Sequence, residues 1–111
     1  VPAKPVLMCG GAQDPTVNFL STRATAGYFR AKGMPAQQLT VVDLEDNATT
    51  DAYSAARAGF AQAKDVLKQG TEGSDADKDR AVMLAYHGTL APPFCLAAAR
   101  GFFQGVLAAG G

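Results

Sequence analysis

An aspartate and the chain's only histidine are the side chains best suited to carry chemistry. Asp14 lies in the short stretch GGAQDP, which directly follows the apolar run Pro5–Cys9, and His87 lies in YHGT. A carboxylate can accept the N–H of an imidazole, hold its tautomer and stabilise the imidazolium that forms when the imidazole acts as a base. Asp14 and His87 are therefore the candidate catalytic residues.

Other interpretations of the same stretches remain open. Asp14 can simply stabilise a turn before Pro15, and a lone histidine is often structural. Cys9 stands before a Gly-Gly turn, as a nucleophile could, but its place in an apolar strand favours a buried thiol or half of a disulfide. Gly10 and Gly11 form neither glycine-rich phosphate motif, and Asp14 would repel an anion there.

Hydrophobic patterns predict the elements that must position these residues. The run Pro5–Cys9 predicts a buried strand, and a helix from a Ser21 cap to Lys32 follows it, with Gly33 as its stop. A second strand is predicted over Leu39–Leu44. Strand, helix and strand form a βαβ unit with parallel strands. Such sheets place active sites just beyond the carboxyl ends of their strands, which is where Asp14 stands.

The second half of the chain is predicted to be largely helical. Thr50–Gln69 has an amphipathic pattern, with apolar residues at Tyr53, Ala56, Phe60, Ala63 and Leu67. The polar stretch Thr71–Asp79 predicts a solvated loop, and Arg80–Tyr86 fits a strand or a helix equally well. His87 is expected in a loop. Pro92 and Pro93 then open a last helix, Phe94–Leu107, whose apolar residues on almost every side predict burial.

Composition limits the classes of function. Hydrophobic residues make up 48% of the 111 residues and charged residues 18%, which is enough apolar material for one globular domain. Ten basic and ten acidic residues balance without a basic cluster, so neither a nucleic-acid nor an anionic-membrane partner is expected. No apolar run is long enough to predict a membrane span, and the first residues do not read as a signal peptide.

In their order and residue types, these segments resemble the C-terminal part of proteins of the α/β-hydrolase family. The stretch Gly11–Val17 matches the segment that follows a late strand and carries the acid in that family. His87, followed by Pro93-Phe94 and Ala97–Phe103, is similar to the family's ending. The resemblance implies an α/β fold in which residues 1–111 form a single partial domain. This would be the C-terminal part, with the last two sheet strands, flanking helices, and an insertion over 50–80 before the histidine loop.

The resemblance also implies a function. The chain would be part of a serine-type ester or amide hydrolase, with Asp14 as the acid and His87 as the base. The acidic residues of the segment Asp43–Asp46 are the alternative acid. None of the three serines has glycine two positions before and after it, so the nucleophile is expected upstream of Val1 and the isolated chain is expected to be inactive. No cofactor and no metal is expected.

Partners and location follow from the same resemblance. The partners would be the preceding part of the hydrolase and a small ester-like substrate, and the exposed sheet edge could pair with a second copy. From the sequence alone, Cys9 and Cys95 are either buried thiols or one long-range disulfide. The resemblance implies that the two cysteines lie close together in the fold. A disulfide between them would indicate an oxidising compartment, secreted or periplasmic. The alternative function is a non-catalytic α/β domain that binds a small ligand or serves assembly.

Overall fold

The computed structural model describes residues 2–47 and 50–110. Its elements follow the order β1 (Val6–Gly10), α1 (Phe19–Ala31), β2 (Leu39–Asp43), α2 (Ser54–Gly70), α3 (Asp75–Ala85) and α4 (Ala91–Ala108). A short 3₁₀ turn, Ala36–Gln38, precedes β2, and a π-helical turn, Tyr86–Leu90, joins α3 to α4.

The predicted fold class is wrong. The two strands pair in parallel, from Val6 opposite Leu39 to Gly10 opposite Asp43, but they form the whole sheet found within the described residues. Helices make up 63% of the structure, so it is a small and mostly helical protein and not the C-terminal part of an α/β-hydrolase. The physical reason is that the main core is built by helices α2, α3 and α4 packing together against one face of a narrow sheet.

The βαβ unit forms close to where the sequence predicts it, apart from the helix cap. Helix α1 begins at Phe19 because the Asn18 side chain accepts the backbone N–H of Leu20 at 2.9 Å, so Asn18 is the cap instead of Ser21. Gly33 ends the segment with a φ of +93°, a conformation that glycine adopts without strain. The outer edges of β1 and β2 have no partner strand among the described residues, and pairing with a second copy stays a prediction.

Helix α2 presents the apolar face that its periodicity predicts. Phe60 is 0% exposed at the centre of the main core, and its ring meets those of Tyr86 and Phe94 edge-on, at 5.3 Å and 6.0 Å between centroids. The buried members of this core are Val42, Leu44, Phe60, Val82, Tyr86, Leu90 and Ala91. The helix starts at Ser54 and not at Thr50, and residues 48 and 49 lie outside the described residues.

Of the two predicted loops, one is helical from Asp75 onward and the other is a π-helical turn. The stretch Thr71–Asp79 was expected to be a solvated loop, but Ser74 and Asp77 form a reciprocal capping box that starts α3 at Asp75. Arg80–Tyr86 continues that helix. The sequence left a strand and a helix open for this segment, and the structure has the helix. His87 lies in the π-helical turn and not in a loop, so 75–108 is one continuous helical segment. Pro92 and Pro93 fall in the first turn of α4, where a missing N–H is tolerated.

The burial expected for the last helix is incomplete. Leu96, Phe103 and Leu107 remain exposed, Leu107 by 77%. The segment 75–108 is also the one stretch of the described residues long and apolar enough to cross a bilayer, a test that core helices of soluble proteins pass as well. The sequence-based expectation that the chain spans no membrane therefore stays a prediction.

Candidate functional site

Asp14 and His87, 73 positions apart in the chain, are in direct contact. Asp14 Oδ2 lies 2.7 Å from His87 Nδ1, a hydrogen bond in the tautomer that carries its proton on Nδ1. The two side chains differ in exposure, since that of Asp14 is 4% exposed and that of His87 is 50% exposed. The carboxylate is thus enclosed, while the ring it contacts stays open to solvent.

The loop after β1 orients the Asp14 carboxylate. Asp14 Oδ1 accepts the backbone N–H groups of Thr16 at 2.8 Å and Val17 at 3.1 Å, and the Asp14 N–H donates to Gly11 O at 3.1 Å. Asp14 Oδ1 therefore stabilises the turn, which is one of the two interpretations that the sequence left open for this residue. The other oxygen is directed to His87, so the two interpretations of this residue hold together.

The Asp14 carboxyl is held in its charged form. Burial by itself raises the pKa of Asp14, but the hydrogen bonds from Thr16, Val17 and His87 outweigh burial and lower the pKa below its ordinary value. A permanently charged carboxylate near neutral pH can both hold the tautomer of His87 and stabilise its imidazolium form.

The alternative acids on the Asp43–Asp46 segment have other partners. Asp43 Oδ1 accepts the N–H groups of Ala12 and Glu45, each at 2.9 Å, and Asp43 Oδ2 pairs with Arg23 at 3.2 Å. Glu45 pairs with Lys64 at 2.6 Å. The structure thus brings His87 to Asp14, and it uses Asp43 to hold the loop that precedes Asp14.

Cys9 and Cys95 form a disulfide, with their Cα atoms 5.6 Å apart. Of the two alternatives left open by the sequence, the structure has the bridge. Because the Cys9 sulfur is bonded, Cys9 does not act as a nucleophile in this structure. The bridge forms part of the wall of the cavity beside Asp14 and His87.

That cavity has a volume of about 160 Å³. Sequence reasoning missed Phe19, Thr22 and Ala91 of its wall, because their types and positions in helices α1 and α4 carry no signal of a site. Among the described residues, Thr22 is the one hydroxyl-bearing side chain of this wall, and none of the serines belongs to it. The wall comprises Cys9, Gly10, Gly11, Asp14, Val17, Phe19, Thr22, His87, Ala91, Pro92 and Cys95.

Metal-binding clusters are absent from residues 2–47 and 50–110, where no three His, Cys, Asp or Glu side chains come together. Comparison of the chain with protein-family models, with curated proteins and with solved structures finds no match.

Proposed function

We propose that Asp14 and His87 form the acid–base half of a serine-type hydrolase that cleaves ester or amide bonds. The observation that carries the proposal is the 2.7 Å contact between Asp14 Oδ2 and His87 Nδ1. This is the contact by which a carboxylate orients an imidazole for general-base catalysis. The serine is proposed to come from polypeptide outside residues 2–47 and 50–110.

The proposed mechanism follows from the orientation of the imidazole. With its proton on Nδ1 and facing Asp14, His87 has its Nε2 lone pair free to accept a proton. Nε2 takes the serine proton as the serine oxygen attacks the acyl carbon, and it passes the same proton to the leaving alcohol or amine. Asp14 stabilises the positive charge that the ring carries between these two steps.

The cavity supports a small substrate. Its volume of about 160 Å³ suits a short acyl or alcohol group, and its wall includes the apolar side chains of Val17, Phe19 and Pro92. Asp14 and His87 line the same space, so a bound group would lie beside the acid–base pair. A small ester-like substrate and a serine-bearing polypeptide are therefore the proposed partners.

Binding of a small ligand without catalysis is the second candidate function. The observation that favours it is the serine-free wall of the cavity within the described residues. In that case the Asp14–His87 pair would orient a polar group of the ligand, and no covalent intermediate would form.

Covalent labelling distinguishes the two functions. The protein, as its natural source produces it, is treated with a fluorophosphonate probe, and the labelled residue is mapped by mass spectrometry. The hydrolase proposal expects a labelled serine and loss of the label in the His87→Ala variant. A correctly folded protein that takes up no probe would contradict the hydrolase proposal and favour ligand binding. A label on Thr22 would show that the nucleophile lies within this chain.

A further inference from the structure

Tyr86, the residue before His87, is buried while its neighbour is exposed. Both lie in the π-helical turn Tyr86–Leu90, and their side chains leave it in different directions. His87 reaches Asp14 near the surface, whereas Tyr86 is 2% exposed and packs edge-on against Phe60 in the main core. A phenol hydroxyl at such a depth needs hydrogen-bond partners.

The partners of the Tyr86 hydroxyl lie on the segments that follow the two strands. The hydroxyl donates to Glu45 Oε1 at 3.0 Å, and the nearby backbone N–H of Gln13 acts to lower its pKa. Burial and the neighbouring Glu45 carboxylate raise the pKa of Tyr86 well above its usual range, so the hydroxyl keeps its proton. Because Gln13 directly precedes Asp14, Tyr86 is linked to both members of the pair. It is joined to His87 by a peptide bond, and its hydroxyl packs against the Asp14 loop at Gly11.

Gly11 lets the Tyr86 ring reach the loop. A Cβ atom at position 11 would collide with the Tyr86 hydroxyl and would lie 2.6 Å from two of its ring carbons. Gly11 is not among the glycines with positive φ, so close approach and not backbone conformation requires glycine here. The ring therefore lies directly against the loop that carries Asp14.

Two carboxylates fix this arrangement from the β2 side. Glu45 Oε1, which accepts the Tyr86 hydroxyl, also pairs with Lys64 of α2 at 2.6 Å. The Glu45 N–H and the Ala12 N–H both donate to Asp43 Oδ1. The loop 11–14 is thus held by the packing of Tyr86 against Gly11 and by the hydrogen bond from Ala12 to Asp43.

We propose that Tyr86 is a positioning residue, whose hydroxyl holds the Asp14 loop at the distance that lets Asp14 fix the tautomer of His87. The proposal rests on the proposed function, because the pair being positioned is the proposed acid–base pair. Without the hydroxyl, the loop loses its contact with the Tyr86 oxygen at Gly11, and the Glu45 carboxylate loses the donor that ties it to the turn while keeping its pairing with Lys64. The loop then gains freedom relative to His87.

The tautomer of His87 reports this role directly. His87 is the only histidine, so ¹⁵N NMR of the chain with labelled histidine shows one imidazole without assignment. In the unaltered chain, the neutral ring should carry its proton on Nδ1. Tyr86→Phe keeps the ring in the core and should lose this preference, giving nitrogen shifts averaged between the two tautomers. Tyr53 is a second tyrosine that packs against the same core, so Tyr53→Phe serves as the control and should leave the nitrogen shifts unchanged.

Substitutions at Glu45 test the role without altering the core ring. Glu45→Gln and Glu45→Ala both remove the charge that pairs with Lys64, but only glutamine retains an oxygen that can accept the Tyr86 hydroxyl. Glu45→Gln should therefore keep the Nδ1–H tautomer, and Glu45→Ala should lose it. This comparison decides the question even if Tyr86→Phe does not fold.

The outcomes separate this proposal from the proposed function. Folded Tyr86→Phe and Glu45→Ala chains with the unaltered tautomer would overturn the positioning role. A protein that resists fluorophosphonate but shows the Tyr86-dependent tautomer would overturn the hydrolase proposal alone. Labelling of a serine, together with a His87 tautomer that does not depend on Tyr86, would support the hydrolase proposal and overturn the positioning role alone.

Discussion

The Sγ atom of Cys9 on β1 is bonded to that of Cys95 on α4, across 86 positions of the chain. Cys9 lies shortly before Asp14, and Cys95 lies shortly after His87. The bond therefore ties together the two elements that flank the proposed acid–base pair, and both cysteines line the cavity beside it. The stability of the chain and the geometry of the pair both depend on this link.

Reduction of the disulfide should destabilise the chain. In the chain-entropy model, a bridge that closes a loop of this length contributes about 4 to 5 kcal/mol, a large part of a typical domain's stability. Urea unfolding with and without a dithiol reductant measures this difference, and the Cys9→Ser/Cys95→Ser double variant should be insensitive to the reductant. Two alkylatable thiols in the native, unreduced protein would contradict the bridge. An oxidising compartment, secreted or periplasmic, stays a prediction that depends on this bridge.

The proposed hydrolase activity should lose most of its turnover when either member of the pair is removed. Asp14→Asn should lower kcat by about 10⁴-fold, because an amide donates to Nδ1 and favours the wrong tautomer. His87→Ala should be at least as damaging, since it removes the base. Asp65→Asn, on the exposed face of α2, is the matched control and should keep full activity. Steady-state hydrolysis of a short-chain ester measures all three, and an active, folded Asp14→Asn enzyme would exclude the proposed role.

Acid should remove a stabilising contribution of Asp14. Its pKa is lowered in the folded state, so the unfolded chain binds the proton more readily. The contribution is therefore fully present above about pH 4, the ordinary carboxyl range, and is lost as the pH falls through the folded-state pKa. Urea unfolding at several pH values should show the unaltered chain and Asp14→Asn converging in stability at low pH. A difference in unfolding free energy between the two chains that stays constant or widens in acid would contradict a lowered pKa of Asp14.

Other carboxyls contribute to the same acid sensitivity. The hydrogen bond from Arg57 is the main cause that lowers the pKa of Asp51, and the Ser74 backbone N–H is the main cause at Asp77. Both side chains therefore favour the folded state above the ordinary carboxyl pKa and lose that effect in acid. The comparison with Asp14→Asn isolates Asp14, because both chains retain Asp51 and Asp77.

Truncation of Phe60 tests whether helix packing dominates the core. Phe60→Ala should cost about 3 to 5 kcal/mol, because it leaves a cavity between Tyr86 and Phe94. Val66→Ala on the same helix, at a position 61% exposed, should change stability by no more than about 0.5 kcal/mol. Chemical denaturation of both variants provides the comparison, and similar losses in the two would show that α2 is not central to the core.

Several elements could be predicted from the sequence because their signals are local. The strands and the apolar face of α2 depend on residues a few positions apart, so hydrophobic spacing was sufficient. The capping box of Ser74 and Asp77 is equally local, and the polar character of its stretch concealed it. Asn18 in place of Ser21 as the cap of α1 is an error of the same kind, since both residue types favour that position.

The candidate site could be predicted in part. Residue type pointed to His87, the only histidine, and a place just beyond the predicted first strand pointed to Asp14. The supporting residues carried no such signal. In the sequence, Tyr86 is the last residue of Arg80–Tyr86, a segment that fits a strand or a helix equally well. Thr22 is one position of the helix predicted from Ser21 to Lys32. Tyr86 contacts Glu45 across 41 positions of the chain, and Thr22 lines the same cavity as the distant His87.

By itself, the sequence determined the short-range elements and the two residue types capable of the proposed chemistry. Only the tertiary structure decided that 75–108 forms one helical segment on a two-stranded sheet, where the resemblance had implied a larger hydrolase fold. It also decided that Asp14 and His87 meet and that Cys9 bonds to Cys95. Local periodicity fixes the backbone over a few residues. Contacts across 73 or 86 positions depend on which apolar faces pack together and offset the entropy of closing the chain.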